Sequence, residues 1–387
     1  MPVKRLLGTV GSEVRGEQPP VADEGGTVSI ALPDRIISAD DHMDVNVLPP
    51  DLFTGRVPAA RRDAVPRVMD TDEGPVWVIG DTRLGPSGRR AKGLITNDDL
   101  GFRPGRATDR LADMDRDGIY CQVIYGPPLG LPVPDPVLRA TCMAAYNDWA
   151  AEFNASAPNR LVVLALLSSH DPEAARCELE RCASLGHRGA VLSMFDAPEP
   201  PFEDGWASFW ATANEIGAPI SFHLGAGLHS IKVRPGSWRM PAAVAVAPLQ
   251  LDEVLAGMIF SGLLERNPNV RIVLGEAGLG WVPYVLERLD HEHLKYRDLV
   301  HDVVLREMPR EYFRRQVFLT YEEDHLGLEL LHHVGASNVM WASDYPHGDS
   351  TWPNSLRCIR ESGLASLDAA DRQRILWDNA AGLYGIA

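Results

Sequence analysis

The sequence predicts a (β/α)₈ TIM barrel, an α/β fold carrying an N-terminal arm and an insertion between strand 1 and strand 2. Three observations lead there. Short apolar runs of strand length alternate with longer helical stretches, eight such runs occur, and polar residues recur just after them. Near-continuous apolar strands separated by helices mean a parallel sheet covered on both faces. Eight of them suit a closed barrel better than an open sheet.

The elements follow in order. Residues 1–33, rich in Gly, Pro, Glu and Val without a sustained period, read as an arm, and 34–387 as the barrel. Strands are expected at Arg35–Ala39, Cys121–Tyr125, Leu161–Leu167, Gly189–Met194, Pro219–His223, Arg271–Gly275, Val317–Tyr321 and Asn338–Ser343. Between them lie helical patterns such as PEAARCELERCASLG, PLQLDEVLAGMIFSGLLER and GWVPYVLERLDHEHLKY. The gap between the first two strands is far longer than a crossover needs. Within it, GPVWVIGDTRLGPSG alternates apolar residues on either side of Gly-Asp, the pattern of a hairpin. Residues 49–108 are therefore read as a cap beside the barrel mouth or a dimerisation insertion.

Composition narrows the function classes. The chain has 387 residues, 45% hydrophobic and 23% charged, as expected of a globular protein large enough to bury a core without staples. A net charge of −16 argues against nucleic acid and against an anionic membrane surface, both of which reward clustered Lys and Arg. It leaves an anionic substrate open, because a local ion outweighs the global field. The N-terminus lacks a long apolar stretch, so no export or membrane insertion is expected. Cys121, Cys142, Cys177, Cys182 and Cys358 are odd in number and show no CxxC pair. A disulfide framework or a thiolate zinc site is not expected, and a reducing, cytoplasmic setting is. Cys177 and Cys182 read as small buried residues of one helix.

In a parallel barrel the active site lies at the C-terminal ends of the strands. Strand one ends in Asp40-Asp41-His42, strand five in His223, strand six in Gly275-Glu276-Ala277-Gly278, and strand eight in Asp344. Strand seven is followed by Glu322, Glu323, Asp324 and His325. Asp40 and His42, two apart on an extended segment, share a face, while Asp41 points elsewhere. Carboxylates and imidazoles are what a divalent ion needs, and three separate strands deliver them at one end of one barrel. Asp40, His42, His223 and Asp344 are thus the expected ligands. Zinc is favoured, with manganese or iron as alternatives.

The segments ISADDH, SFHLG, LGEAGLGWVPYVLERLDHE, MWASDYPHGDSTWPNS and NAAGLYGI carry a resemblance. From about Arg35 to the C-terminus the chain resembles the amidohydrolase-related family, which includes aminocarboxymuconate-semialdehyde decarboxylase and the nonoxidative aromatic-acid decarboxylases. The resemblance implies a (β/α)₈ barrel binding zinc or manganese through an acidic or His residue, x, His on strand one, a His on strand five and an Asp on strand eight. Carried over, these are again Asp40, His42, His223 and Asp344. One departure stands out. Many members have a His after the strand-six glycine, serving as acid/base or substrate contact, and this chain has Glu276.

Glu276 and Asp344 are accordingly the expected catalytic groups. Glu276, Glu322, His325 and His347 are the candidates for a second metal or for orienting the ligands. Arg234 and Arg239 are weighed as substrate-carboxylate contacts against plain surface residues, and Trp281 and Trp352 as apolar mouth or core residues. Two further functions stay open: a dinuclear Fe or Mn–Fe monooxygenase in which Glu276 bridges the ions, and a metal-binding subunit supporting a related catalytic barrel. The leading expectation is a metal-dependent hydrolase or nonoxidative decarboxylase of a small carboxylate-bearing molecule, homo-oligomeric or paired with a related subunit.

Overall fold

A computed structural model describes residues 31–88, 105–127, 131, 133, 135–193, 197–224, 231 and 236–387. The strands are β1 (Ile37–His42), β2 (Arg67–Met69), β3 (Val76–Ile79), β4 (Thr82–Pro86), β5 (Cys121–Tyr125), β6 (Leu161–Val163), β7 (Ala165–Leu167), β8 (Ala190–Leu192), β9 (Ile220–His223), β10 (Ile272–Gly275), β11 (Val317–Tyr321) and β12 (Val339–Trp341). All eight expected barrel strands are present. The third is divided at Leu164 into β6 and β7, and the first runs on through His42. The expected arm lies outside the described residues except for its last three.

Pairing is parallel throughout the barrel, in the orders β1-β5-β6 and β7-β8-β9-β10-β11-β12. The two stretches meet at two places. At Leu164 the chain changes partner within one residue: the Leu164 N–H donates to Ile124 O (2.9 Å) and the Ala165 N–H to Gly189 O (3.1 Å). At the other junction β1 and β12 are joined by the Asp344 N–H to Asp40 O (3.1 Å) and the His42 N–H to Tyr345 O (2.7 Å). The eight strands thus close into a (β/α)₈ barrel.

The outer faces of these strands are apolar because helices cover them. Ile220, Phe222, Ile272, Leu274 and Leu319 join Phe209 and Trp210 from the helix Ala207–Ile216 in one continuous core. The insertion adds an antiparallel sheet, β2-β3-β4, whose expected hairpin turns at Gly80-Asp81. Trp77 on β3 is fully buried, edge-on to Phe53 at 5.9 Å, in the same core as Ile37 and Ala39 of β1. That sheet is therefore anchored beside the first barrel strand.

One helical stretch, Arg239–Phe260, is long and apolar enough by length and composition to cross a membrane. In its second half Leu251, Val254, Leu255, Met258 and Ile259 belong to the barrel core, whereas Val244 and Leu249 are exposed. The helix Pro172–Ser184 forms as expected, but its two cysteines differ. Cys182 is buried, whereas Cys177 is exposed, because five residues along a 3.6-residue spiral do not return to the same face.

Candidate metal and active site

Strand β1 carries an irregularity in register between Ser38 and Asp41 against β5. The extra residue re-aims the strand end, as a bulge does next to many sites. Asp40 and His42 then face the barrel interior together, with Asp40 Oδ1 3.6 Å from His42 Nε2. His223, the last residue of β9, reaches the same point, its Nε2 3.5 Å from Asp40 Oδ1. Asp344, just beyond β12, places Oδ1 2.9 Å from His42 Nε2. Structure and sequence thus bring the same four side chains together, all of them buried.

The donor atoms have a common feature. Asp40 Oδ1, His42 Nε2 and His223 Nε2 are buried, and apart from their contacts with one another and with Asp344 and Glu276 they meet no partner among the described residues. Buried polar atoms are almost always paired, and three such atoms converging from two strands, β1 and β9, call for a shared partner. Among the described residues, two groups offer donor atoms within 4.8 Å of one another: Asp40, His42 and His223, and His42, Asp344 and His347. Both contain His42, so they describe one centre. His223 Nδ1 donates to the Leu224 carbonyl at 2.6 Å, which leaves Nε2 as the nitrogen free to meet an ion. The residues fit a divalent ion.

The electrostatics point the same way. Burial pulls the His223 imidazole down, yet Asp40 and Glu276 raise it to about 9, so a proton is held where a cation would sit. Burial lowers His42 and keeps it neutral, as a ligand must be. Burial opposes ionisation of Asp344 too, but the imidazoles of His347 and His42 outweigh it and hold this carboxyl well below its usual range. His347 stacks on His42 at 4.1 Å between ring centres. Its Nδ1 meets Asp344 Oδ1 at 2.9 Å and its Nε2 meets Asp44 Oδ2 at 3.1 Å.

Glu276 and Asp344 are the two described non-glycine residues with positive φ, at 53° and 58°. Such backbone persists only where surrounding bonds enforce it, and it gathers at functional sites. Enforcement is visible at Glu276, whose N–H donates to Asp40 Oδ2 (2.8 Å) and to Thr320 Oγ1 (2.7 Å). The carboxylate then stands 3.3 Å from His223 Nε2, with a third of the side chain exposed. Burial and then the charge of Asp344 push Glu276 up to about 8. The preceding Gly275 is required: a Cβ there would meet His223 Cδ2 at 2.8 Å and Asp40 Oδ2 at 3.1 Å.

Asp41 turns away from the pocket, as its odd position in the strand predicts. Its Oδ1 accepts from Ser343 Oγ (2.6 Å) and from the Tyr345 N–H (2.9 Å), and burial raises it to about 7. Arg110, buried on the helix Ala107–Asp117, donates to Gln122 Oε1 (2.6 Å), His42 O (2.8 Å) and Tyr345 O (3.3 Å). It therefore ties the ends of β1 and β12 together. Sequence reading missed Arg110, Thr320 and Asp44. Asp44 alone had a signal, since it continues the two-residue spacing of Asp40 and His42.

Other expected residues fall elsewhere. His325 and Glu323 are exposed. Asp324 caps the helix His325–Glu329 and holds the loop after β10, accepting from the N–H groups of Gly327, Leu279 and Gly280. Arg239 lies over the ring of the exposed Trp238, and Arg234 is outside the described residues. Trp352 is buried and donates to Asp113 O at 3.0 Å, and the part-buried Trp281 donates to Ala277 O at 2.7 Å.

With this geometry in view, comparison with known proteins is informative. The amidohydrolase family model matches residues 135–386, more than half of the chain. The chain belongs to the amidohydrolase family. A gamma-resorcylate decarboxylase from Rhodococcus jostii (strain RHA1) is 28% identical over 322 residues, covering 74% of this chain and 94% of the relative. The crystal structure of 5-carboxyvanillate decarboxylase from Sphingomonas paucimobilis superposes with a TM-score of 0.69 at 24% identity, covering 92% of this chain and 100% of the other. A dihydroxybenzoic acid decarboxylase from Polaromonas sp. JS666, solved with manganese and the inhibitor 2-nitroresorcinol, gives a TM-score of 0.61 at 20% identity, covering 91% and 97%.

Proposed function

We propose that this chain is a metal-dependent, nonoxidative decarboxylase of small aromatic carboxylates. The observation that carries the reading is the convergence of buried donor atoms, with His42 Nε2 and His223 Nε2 3.6 and 3.5 Å from Asp40 Oδ1 and Asp344 beside them, in a barrel of the amidohydrolase family. Asp40, His42, His223 and Asp344 would hold one divalent ion, zinc or manganese. When bound, the ion supplies a Lewis-acid anchor for a substrate oxygen. The similarity to decarboxylases, one of them solved with manganese, favours carboxylate loss over hydrolysis.

The chain's own residues supply the rest. The reaction is R–COO⁻ plus H⁺ giving R–H and CO₂: a C–H bond forms at the carbon that bore the carboxylate, and the C–C bond to CO₂ breaks. Glu276 stands beside the ligand His223 on a backbone turned toward the pocket, and it is the group placed to give that proton. His347 fixes the orientation of Asp344 through Nδ1, and Asp44 fixes His347 in turn. The dinuclear oxygenase expectation has less support, because the two candidate ligand groups share His42.

The test is elemental analysis of the chain purified alone, with CO₂ release measured from 2,6-dihydroxybenzoate, 5-carboxyvanillate and benzoate. One ion per chain, and CO₂ released only by metal-loaded protein, is the expected result. Two ions per chain, or no CO₂ from any hydroxylated aromatic acid, counts against the reading. Activity of the chain alone also separates it from a merely supporting subunit.

A further inference from the structure

The ring of Tyr125, the last residue of β5, packs against both histidines of the proposed ligand set. Its centre lies 5.1 Å from the His223 ring and 6.1 Å from the His42 ring, and His42 is its register partner on β1. A Cβ at Gly275 would touch Tyr125 Cε1 at 3.3 Å as well as His223 and Asp40, so the three side chains meet at that glycine. Tyr125 is thus a wall of the ligand cluster.

The far end of its ring is tethered. The Tyr125 hydroxyl adjoins those of Ser221 and Tyr384, and the Tyr384 hydroxyl adjoins that of Ser221. Ser221 stands two residues before His223 on β9 and shares its face. All three side chains are buried, and outside this cluster their hydroxyls meet no partner among the described residues. A hydroxyl has one hydrogen to give and lone pairs to accept with, so three of them can satisfy one another. A closed network of this kind in a low-dielectric interior holds its members in one arrangement.

Tyr384 enters the cluster from outside the strands. It ends the helix Asn379–Tyr384, which packs on β1 and β12. Arg188, two residues before β8, donates to Gly385 O (3.1 Å), and Arg35, two residues before β1, to Ala387 O (3.4 Å). Both arginines stand at strand starts, the end of the barrel opposite the site. Tyr384 therefore connects that end to the wall of the ligand cluster.

We propose that Tyr384 and Ser221 are positioning residues of the metal site: by holding the Tyr125 hydroxyl they set the Tyr125 ring against His223 and His42, and so the angle at which those imidazoles meet the ion. The role rests on the ligand set proposed above and holds for any substrate.

The experiment titrates cobalt(II) into the metal-free full chain as wild type, Tyr384→Phe, Tyr125→Phe and the double variant, recording affinity, visible absorption and thermal melting of each. Both single variants keep their rings and lose one hydroxyl. Each is expected to bind cobalt about three- to tenfold more weakly, the worth of one hydrogen bond, and to shift the visible bands that report ligand geometry. The double variant is expected to bind no more weakly than the weaker single one, because Tyr384 acts only through Tyr125. If Tyr384→Phe does not fold, Ser221→Ala takes its place in the same cycle, with the same expectation. Wild-type affinity and bands in Tyr384→Phe, or losses that simply add in the double variant, overturn the role. A lowered melting temperature with unshifted bands makes Tyr384 a packing residue alone and overturns it too. A wild type that binds no cobalt removes the ligand set itself, whereas cobalt bound equally by all the variants removes the positioning role alone.

Discussion

The barrel is interrupted twice, and the two interruptions are built from opposite chemistry. At Leu164 the chain leaves β5 for β8 with a fully buried leucine at the break, and the backbone groups on either side find carbonyl partners at once. Between β1 and β12 the backbone supplies two bonds, and side chains supply the others: the Ser343 N–H donates to Ser38 Oγ (2.7 Å) and the Tyr345 N–H to Asp41 Oδ1 (2.9 Å). A break in strand pairing is therefore not itself a site. It becomes one where side chains replace the missing ladder and hold ionisable neighbours in a low-dielectric pocket.

The largest effect that would sharpen this contrast is expected at the ligand seam. His223→Ala removes a neutral nitrogen ligand, and metal binding should weaken by more than about 100-fold, beyond the loss typical of an outer partner. Metal retention during dialysis measures it, and full occupancy in a folded variant would remove His223 from the site. Glu276→Gln comes next. It should keep the ion and lower turnover by about 10²–10⁴-fold, the usual contribution of an acid/base group. A drop in metal content instead would make Glu276 a ligand.

Arg110→Met tests the seam without touching the pocket. It frees the His42 and Tyr345 carbonyls, and metal affinity should fall by about 10–100-fold with little change in overall fold by circular dichroism. Unchanged affinity would make the seam a matter of strand closure alone. The smallest effect on the site is expected from Leu164→Ala at the other break. It should cost about 2–5 kcal/mol of stability through a cavity, while metal affinity stays at the wild-type value. If metal binding falls there as well, the two breaks are coupled and the contrast fails.

Much of the fold was legible because eight buried strands leave eight apolar runs, and the strands fall where those runs fall. The four clustered side chains were legible because they sit at strand ends in a two-residue rhythm. Two features escaped for physical reasons. Arg110 lies in ATDRLADMDRD, where an arginine reads as a solvated helix residue until the tertiary fold buries it against two carbonyls. His325 follows three acids after β11 and reads as part of their cluster, yet Asp324 begins a helix there and turns His325 to the surface. Composition records which groups are near in the chain, and capping decides where they face.

The left-handed backbone at Glu276 and Asp344 has a consequence for how this chain would change under selection. A side chain in that conformation costs of order 1–3 kcal/mol, which glycine does not incur. A library screened only for yield of folded protein should therefore drift toward glycine at these two positions and grow hardier as it goes silent. A library screened for turnover should hold both acids and collect its stabilising substitutions far from the rim.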